Sequence, residues 1–217
     1  MLVSLLLYGC GGELRAVPLP KGEVTRLGNE PVILSATYPP ADFVVSSWDF
    51  PPSEQRRRGL MIATTYELVD PVSRLQARVL SLLESTLGLK NVRRVESNPT
   101  GDDLPDVKKF LGDAIVLDFK TVAWYLSPPE RRSPFGPYMY FVAYGARARL
   151  LNLRTLTILW QGTCRSKGSD MSPYALTGTG EPLLLANRGE LLKKELEAAA
   201  DRCAGDLLDQ FVAPPAG

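Results

Sequence analysis

Three successive stretches between residues 114 and 165 alternate apolar and polar side chains, and this alternation constrains the fold more than any other feature. They read AIVLDFKTVAWYL (114–126), YMYFVAYGARARLLNL (138–153) and ILWQGTCR (158–165). Because successive side chains of a strand point to opposite faces, each stretch predicts a β-strand with one apolar and one polar face. Neighbouring strands of this kind are typical of an antiparallel sheet that helices cover on one face only.

The phase of the alternation assigns residues to the two faces. The apolar face is predicted to carry Ile115, Leu117, Phe119, Ala123, Val142, Tyr144, Ala146, Ala148, Leu150, Ile158, Trp160, Gly162 and Cys164. Asp118 and Lys120 oppose this set on the first strand, as Arg147 and Arg149 do on the second. These charges could form ion pairs across strands or make a solvated face, and both interpretations stay open.

Two segments with helical periodicity supply the cover for the apolar face. DPVSRLQARVLSLLESTLGL (70–89) has Asp70 as a natural N-cap and Gly88 as a possible end. NRGELLKKELEAAADRCAGDLLDQFV (187–212) carries an apolar stripe of Leu192, Leu196, Ala199, Cys203, Leu207 and Phe211. The predicted fold class is therefore α+β, a two-layer sandwich with an antiparallel sheet covered on one face by two main helices.

Shorter segments complete the predicted domain. PVILSATY (31–38) is expected as an edge strand, with further strands in ADFVVSSW (41–48) and NVRRVES (91–97). LPDVKKFL (104–111) predicts a short helix. The carboxylates before and within it favour an N-terminal cap, with an acid/base pair or a calcium site as alternatives: Asp102, Asp103 and Asp106.

One segment interrupts this pattern of strands and helices. FPPSEQRRRG (50–59) contains the longest basic run of the chain, Arg56 to Arg58. Its prolines and charges predict a solvated loop, and a patch for phosphate or lipid headgroups is the alternative.

The chain has three cysteines, Cys10, Cys164 and Cys203. An odd number in an exported protein leaves one cysteine without an intramolecular partner. The strand phase and the helix periodicity direct Cys164 and Cys203 to the same interior, which predicts a disulfide between them. Two reduced, buried thiols that pack as small hydrophobic groups are the alternative.

The N-terminal stretch MLVSLLLYGC explains the remaining cysteine. Its short apolar run, followed by Leu7, Tyr8, Gly9 and Cys10, resembles the end of a bacterial lipoprotein signal, in which the cysteine is lipidated. A buried first strand with a glycine turn is the alternative. Gly11 follows the cysteine, which resembles the default signal for sorting to the outer membrane of Gram-negative bacteria.

A second resemblance covers roughly residues 110–212. This part of the chain contains Phe141 and Tyr144, then ARARLL (146–151), LRT (153–155) and LWQGTC (159–164), followed by a late helix with a cysteine. The pattern resembles that of uncharacterised exported lipoproteins of proteobacteria. The resemblance implies a mixed α/β fold in the bacterial envelope. It implies no particular activity, because such families mostly have none assigned.

Composition excludes several kinds of chemistry. The chain has no histidine, which removes Ser-His and Cys-His nucleophile pairs and the commonest metal ligand. Its 25 basic and 24 acidic residues leave no strong field for nucleic acid. The glycine-rich LTGTGEP (176–182) lacks the lysine of a phosphate-binding loop. We expect no cofactor, no metal and no catalytic residues; an enzyme that uses Asp or Arg side chains is a minor alternative.

Aromatic residues near one hairpin end are the candidates for partner binding. They are Trp124, Tyr125, Phe135, Tyr138 and Tyr140. Aromatic anchors on a proline-rich loop suit protein recognition, and packing of the loop onto the sheet end is the alternative.

These observations predict a domain order and a function. Residues 1–9 are a lipoprotein signal remnant, 10–31 a flexible tether, 32–212 a single α+β domain and 213–217 a disordered tail. The expected protein is a lipid-anchored lipoprotein on the periplasmic face of the outer membrane. It would act without catalysis as an envelope assembly or transport-accessory adaptor, with the membrane and another envelope protein as partners. A periplasmic module that binds a small molecule or lipid is the alternative function.

Overall fold

The computed structural model describes residues 17–20, 22–46, 50–95, 98–126, 130–131, 138–139, 142–167 and 185–213. The helices are α1 (Glu23–Gly28), α2 (Pro52–Thr65), α3 (Val72–Leu87), α4 (Leu104–Leu111) and α5 (Ala186–Val212). The strands are β1 (Ile33–Thr37), β2 (Val44–Val45), β3 (Val92–Arg94), β4 (Ile115–Leu126), β5 (Glu130–Arg131), β6 (Tyr138–Met139), β7 (Val142–Asn152) and β8 (Thr157–Lys167).

The main sheet is mixed. Its order is β3-β1-β4-β7-β8, and β2 pairs with the far end of β4. The three long strands β4, β7 and β8 are antiparallel, as predicted, whereas β1 runs parallel to both β3 and β4. The predicted edge strand β1 therefore lies inside the sheet. The parallel pairs arise because helices connect these strands and return the chain to the same end of the sheet.

Helices α3 and α5 cover one face of the sheet, which confirms the predicted α+β two-layer class. The apolar face of β4 and β7 and the apolar stripes of both helices form one core, and Leu75, Leu150, Leu192 and Cys203 are among its fully buried members. Helix α3 contributes Val72, Leu75, Val79 and Leu83 at helical spacing. The main core therefore contains the helix residues that the periodicity predicts and most of the predicted strand residues, apart from those that the β-bulges displace.

The opposite face of the sheet is covered in part by α4. Val107 of α4 is fully buried in a second apolar cluster with Ala36, Tyr38, Val116, Leu151 and Leu153. Asp103 caps this helix, because its Oδ1 accepts a hydrogen bond from the Asp106 N–H at 3.0 Å. The predicted N-terminal cap is confirmed for Asp103.

Two β-bulges shift the predicted phase of the strands. The register between β4 and β7 shifts between Thr121 and Ala123, so Trp124 and Leu126 enter the core where the alternation predicted Ala123. In β8 a shift beside Leu159 turns Ile158 to the second cluster, although Ile158 was predicted on the core face. An extra residue in one strand exchanges its two faces beyond that point.

The folded domain begins earlier than predicted. Val17 forms an antiparallel bridge with Gln161 of β8, with backbone N···O distances of 3.0 and 2.9 Å. Leu19 and Leu27 are buried in the main core. The described part of the range 10–31 therefore packs on the domain and is not a tether. Its physical role is to satisfy backbone groups of the edge strand β8.

Helix α2 occupies the segment that was predicted to be a solvated loop. Pro51 precedes the helix and Pro52 lies in its first turn, where the missing N–H costs nothing. Glu54 accepts hydrogen bonds from Arg57 and Arg58 one turn later. The arginine run therefore stabilises a helix through i,i+3 and i,i+4 ion pairs.

Candidate functional site

The structure describes only some of the residues predicted to form sites. Cys10, Phe135 and Tyr140 lie outside the described residues, and Tyr138 is described only as part of the backbone of β6. The predicted lipidation of Cys10 and the predicted aromatic surface around the hairpin therefore stay predictions.

Trp124 is a largely buried residue of the main core. It is 4% exposed, its ring lies 5.0 Å from that of Phe43, and its Nε1–H donates to the Ala41 carbonyl at 2.7 Å. The β4 bulge turns the Trp124 side chain inward, so Trp124 is buried rather than exposed at the hairpin end as predicted. Tyr125, on the opposite face, is half-buried.

Cys164 and Cys203 form a disulfide, as predicted. The bond joins β8 to α5 across the main core, and the two cysteines are separated by 39 residues in the chain. The strand phase and the helix periodicity therefore pointed to the same interior.

The polar face of the sheet contains a buried ion pair. Asp118 of β4 is 0% exposed, and its Oδ2 accepts a hydrogen bond from Arg149 Nη2 at 2.6 Å. Tyr38 donates its hydroxyl proton to the same carboxylate at 2.5 Å. Burial and the neighbouring Asp118 charge raise the pKa of Tyr38, so this hydroxyl remains a donor at neutral pH. Of the two interpretations left open for these charges, Asp118 and Arg149 take the ion pair across strands, in a buried site rather than on a solvated face.

A second carboxylate extends this pair. Asp102 lies in the loop before α4, and its Oδ2 is 2.7 Å from Lys120 Nζ and 3.2 Å from Arg147 Nη1. Its backbone carbonyl accepts a hydrogen bond from Arg149 Nη2 at 2.8 Å. We call Asp102, Asp118, Lys120, Arg147 and Arg149 the charge cluster.

Asp102 separates two like charges that the sheet register brings together. Lys120 of β4 is directly opposite Arg147 of β7. Burial alone would raise the pKa of Asp102, but the hydrogen bond from Lys120 and the nearby arginines outweigh it and lower the pKa. Asp102 is thus ionised at neutral pH and offsets the repulsion between the two cations.

Asp70 is the other buried carboxylate among the described residues. It accepts hydrogen bonds from the Val72 and Ala41 N–H groups and from Thr121 Oγ1, at 3.0, 3.1 and 2.6 Å. Burial raises its pKa in spite of these bonds. The N-cap of α3 is Pro71 and not the predicted Asp70, although Asp70 accepts a hydrogen bond from Val72, the first residue of the helix. Asp70 also holds the loop at Ala41 onto β4.

An apolar groove lies between the loop after β1, helix α2 and the start of α3. Its volume is about 410 Å³, and its apolar lining includes Phe43, Leu60, Ala63, Leu68, Val69 and Trp124. Leu60 and Val69 are 65% and 79% exposed at its rim. This groove could not be expected from the sequence, because the sequence pattern predicts a solvated loop where α2 lies. Its mainly apolar lining suits an apolar group rather than a charged one.

The residues that the structure describes contain neither a cluster of metal ligands nor a membrane-spanning helix. No group of three or more acidic, cysteine or histidine side chains there is arranged to hold a metal ion. No helix in the same part of the chain has the length and apolar character needed to cross a membrane.

Comparison with known proteins finds similarity only among solved structures. No protein-family model matches the sequence, and no curated protein matches it. Protein XCC0632 from Xanthomonas campestris, described under DUF330, is 12% identical over 91% of this chain and 92% of that chain, with a TM-score of 0.39. PelC from Paraburkholderia phytofirmans, a dodecamer, is 14% identical over 92% of this chain and 98% of that chain, with a TM-score of 0.35.

A third structure, lipoprotein GNA1162 from Neisseria meningitidis, is 16% identical over 80% of this chain and 99% of that chain, with a TM-score of 0.29. These identities and TM-scores are too low to carry an argument about function. The function of this chain is therefore argued from its own residues.

Proposed function

We propose that this protein is a lipoprotein of the bacterial envelope, anchored by lipid on Cys10, and that it acts as a non-catalytic adaptor. The disulfide between Cys164 and Cys203 is the observation that carries the proposal. Disulfides persist in oxidising compartments such as the periplasm. With these two cysteines joined, Cys10 is the one cysteine of the chain left for lipid attachment.

The position of Val17 limits how far the domain can lie from the membrane. Val17 is bound to β8, so six residues, 11–16, separate it from the proposed lipid on Cys10. A chain of that length spans at most about 25 Å. Three acyl chains on one cysteine make anchoring effectively permanent. The domain would therefore stay close to the bilayer, where it can contact another membrane-bound protein.

The hydrogen bonds of the buried carboxylates support a non-catalytic role. Asp118 is held by Arg149 and Tyr38, and Asp70 by two backbone amides and Thr121. A general acid or base needs a free position for the substrate proton, and these carboxylates use their oxygens within the fold. Outer-membrane location, periplasmic orientation and an envelope protein as partner are parts of the same proposal.

Fractionation of cells tests the proposal. Wild-type protein is expected in the membrane fraction and labelled by palmitate, whereas Cys10→Ser is expected to lose the label and the membrane association. Cys203→Ser is the control for loss of a cysteine, because it breaks the disulfide of the core and leaves Cys10 in place, so the label and the membrane association should remain. Equal label and equal sedimentation of Cys10→Ser and wild type would refute lipid anchoring at Cys10.

A binding module for a small apolar molecule or lipid is the second candidate function. The groove beside α2 favours it, because about 410 Å³ lined mainly by apolar side chains fits an acyl chain or a similar group. Ala63→Trp would fill this groove from α2. A lipid extract that raises the melting temperature of wild type and not of Ala63→Trp would support this function, and equal effects on both would refute it.

A further inference from the structure

One edge of the Arg147 guanidinium group is buried, and no acceptor in the described part of the chain binds it. The residue is 7% exposed, and its Nη1 donates to Asp102 Oδ2 at 3.2 Å. Its Nε and Nη2 are buried and have no hydrogen-bond partner among the described residues. Every other charged member of the charge cluster has its main partner in place.

The chemistry of this edge identifies what it can hold. Nε and Nη2 form one side of the planar guanidinium fork, whose two parallel N–H groups match the two oxygens of a carboxylate or phosphate. Buried donors without an acceptor are costly, and charged donors more so. An oxyanion is therefore the complementary occupant.

The charge balance of the cluster favours the same occupant. Three cations, Lys120, Arg147 and Arg149, are matched by two carboxylates, Asp102 and Asp118. One additional negative charge would neutralise the cluster.

Lys120 and Asp102 form the solvent side of the cluster. Their side chains are 40% and 35% exposed, and both Lys120 Nζ and Arg147 Nη1 contact the same oxygen of Asp102. Lys120 is therefore close enough to Arg147 to contact the same ligand. Because Nε and Nη2 of Arg147 are buried, the proposed site requires the more exposed Lys120–Asp102 pair to move aside and admit a ligand.

We propose that Arg147 and Lys120 form a binding site for an oxyanion, either a carboxylate or a phosphate group. Arg147 holds it through Nε and Nη2, and Lys120 adds a second positive charge at the entrance. This site lies on the polar face of the sheet and is distinct from the apolar groove beside α2. It does not depend on lipid anchoring.

Thermal unfolding of the full chain tests this site. Inorganic phosphate and acetate at millimolar concentrations are compared with chloride at equal ionic strength. Binding is expected to raise the melting temperature of wild type by about 3 °C with at least one of the two anions. A response to phosphate alone assigns the ligand as a phosphate group, and a response to acetate alone assigns it as a carboxylate.

Substitutions separate the site from general salt effects. Arg147→Lys keeps the charge and removes the fork, so the apparent affinity should fall by about tenfold or more. Arg154→Lys is the matched control, because Arg154 is exposed and lies outside the cluster. Lys120→Gln, at an exposed position, should weaken the response even if Arg147→Lys folds poorly. No rise above chloride, or equal rises in wild type, Arg147→Lys and Lys120→Gln, would overturn the proposal.

Discussion

Asp118 is the most completely buried charge described in this protein, and its partners come from distant parts of the chain. Arg149 lies opposite on β7, and Tyr38 follows β1. The contribution of such a pair to stability depends on keeping both partners, because a single buried charge left alone is strongly unfavourable. The ion pair therefore specifies which strands meet at this point of the sheet.

Asp118→Asn is expected to lower the free energy of unfolding by about 3 kcal/mol, because it leaves Arg149 buried without its counter-charge. Urea denaturation measures the change. The control is Asp113→Asn, which removes an exposed ion pair with Lys108 and should leave the stability nearly unchanged. Equal stabilities of the two variants would contradict the structural role of Asp118.

Asp102 makes the stability of the folded protein depend on pH. Its pKa is lower in the folded protein than in the unfolded chain, so its contribution is complete above the unfolded value of about 4. The contribution is then lost as the pH falls through the folded pKa. Wild type should melt higher than Asp102→Asn at neutral pH, and the difference should shrink below about pH 4. A difference that is independent of pH would show that Asp102 acts without its charge.

Helix α2 is the element in which packing overrides the local sequence pattern. Gly59 is its buried contact with the chain before β2, where an added Cβ would lie 1.8 Å from the Phe43 carbonyl oxygen. A backbone this close allows no side chain. The helix thus depends on one glycine for its position over the groove, and on Glu54 with two arginines for its first turns.

Gly59→Ala is expected to destabilise the protein by about 2 kcal/mol or to displace α2, because the new methyl group collides with backbone. Gly205→Ala in α5 is the matched control, since a Cβ there meets nothing within 4 Å. It should stabilise the protein by roughly 0.5–1 kcal/mol through helix propensity. Thermal unfolding of both variants measures the contrast, and a tolerated Gly59→Ala would contradict the close contact of α2.

The elements that could be predicted from the sequence are those with a long, regular period. Apolar residues recur at every second position in strands β4, β7 and β8, and at the spacing of one helical turn in helices α3 and α5. The bulge that buries Trp124 could not be predicted, because a single extra residue leaves no mark in the pattern. The position of Asp102 in the charge cluster could not be predicted either. A loop brings Asp102 to the sheet, and no repeating spacing in the sequence relates this loop to the strands.

At the scale of the whole molecule, the edge strand β8 is protected on its outer side. Val17 pairs with Gln161, and the Gln210 carboxamide of α5 bonds both the N–H and the carbonyl of Thr163. The disulfide joins the same strand to the same helix. Edge strands left open invite pairing with other chains, so these contacts favour a defined, non-aggregating domain.

Removal of the disulfide tests how much it contributes. The double variant Cys164→Ala, Cys203→Ala should lose about 4 kcal/mol of stability for a loop of 39 residues, which lowers the melting temperature by roughly 10 °C. Cys10→Ser is the control and should melt like wild type. If a reducing agent leaves the melting temperature of oxidised wild type unchanged, the bond does not stabilise the fold.

The central claim is that one cysteine of three carries lipid while the other two are joined, and the mass of the mature protein tests it most directly. Mass spectrometry of protein taken from membranes should find a chain that begins at Cys10. That residue should carry a diacylglyceryl group and an amide-linked acyl chain, with Cys164 and Cys203 linked. A chain that retains Met1 and has three free thiols would contradict the account.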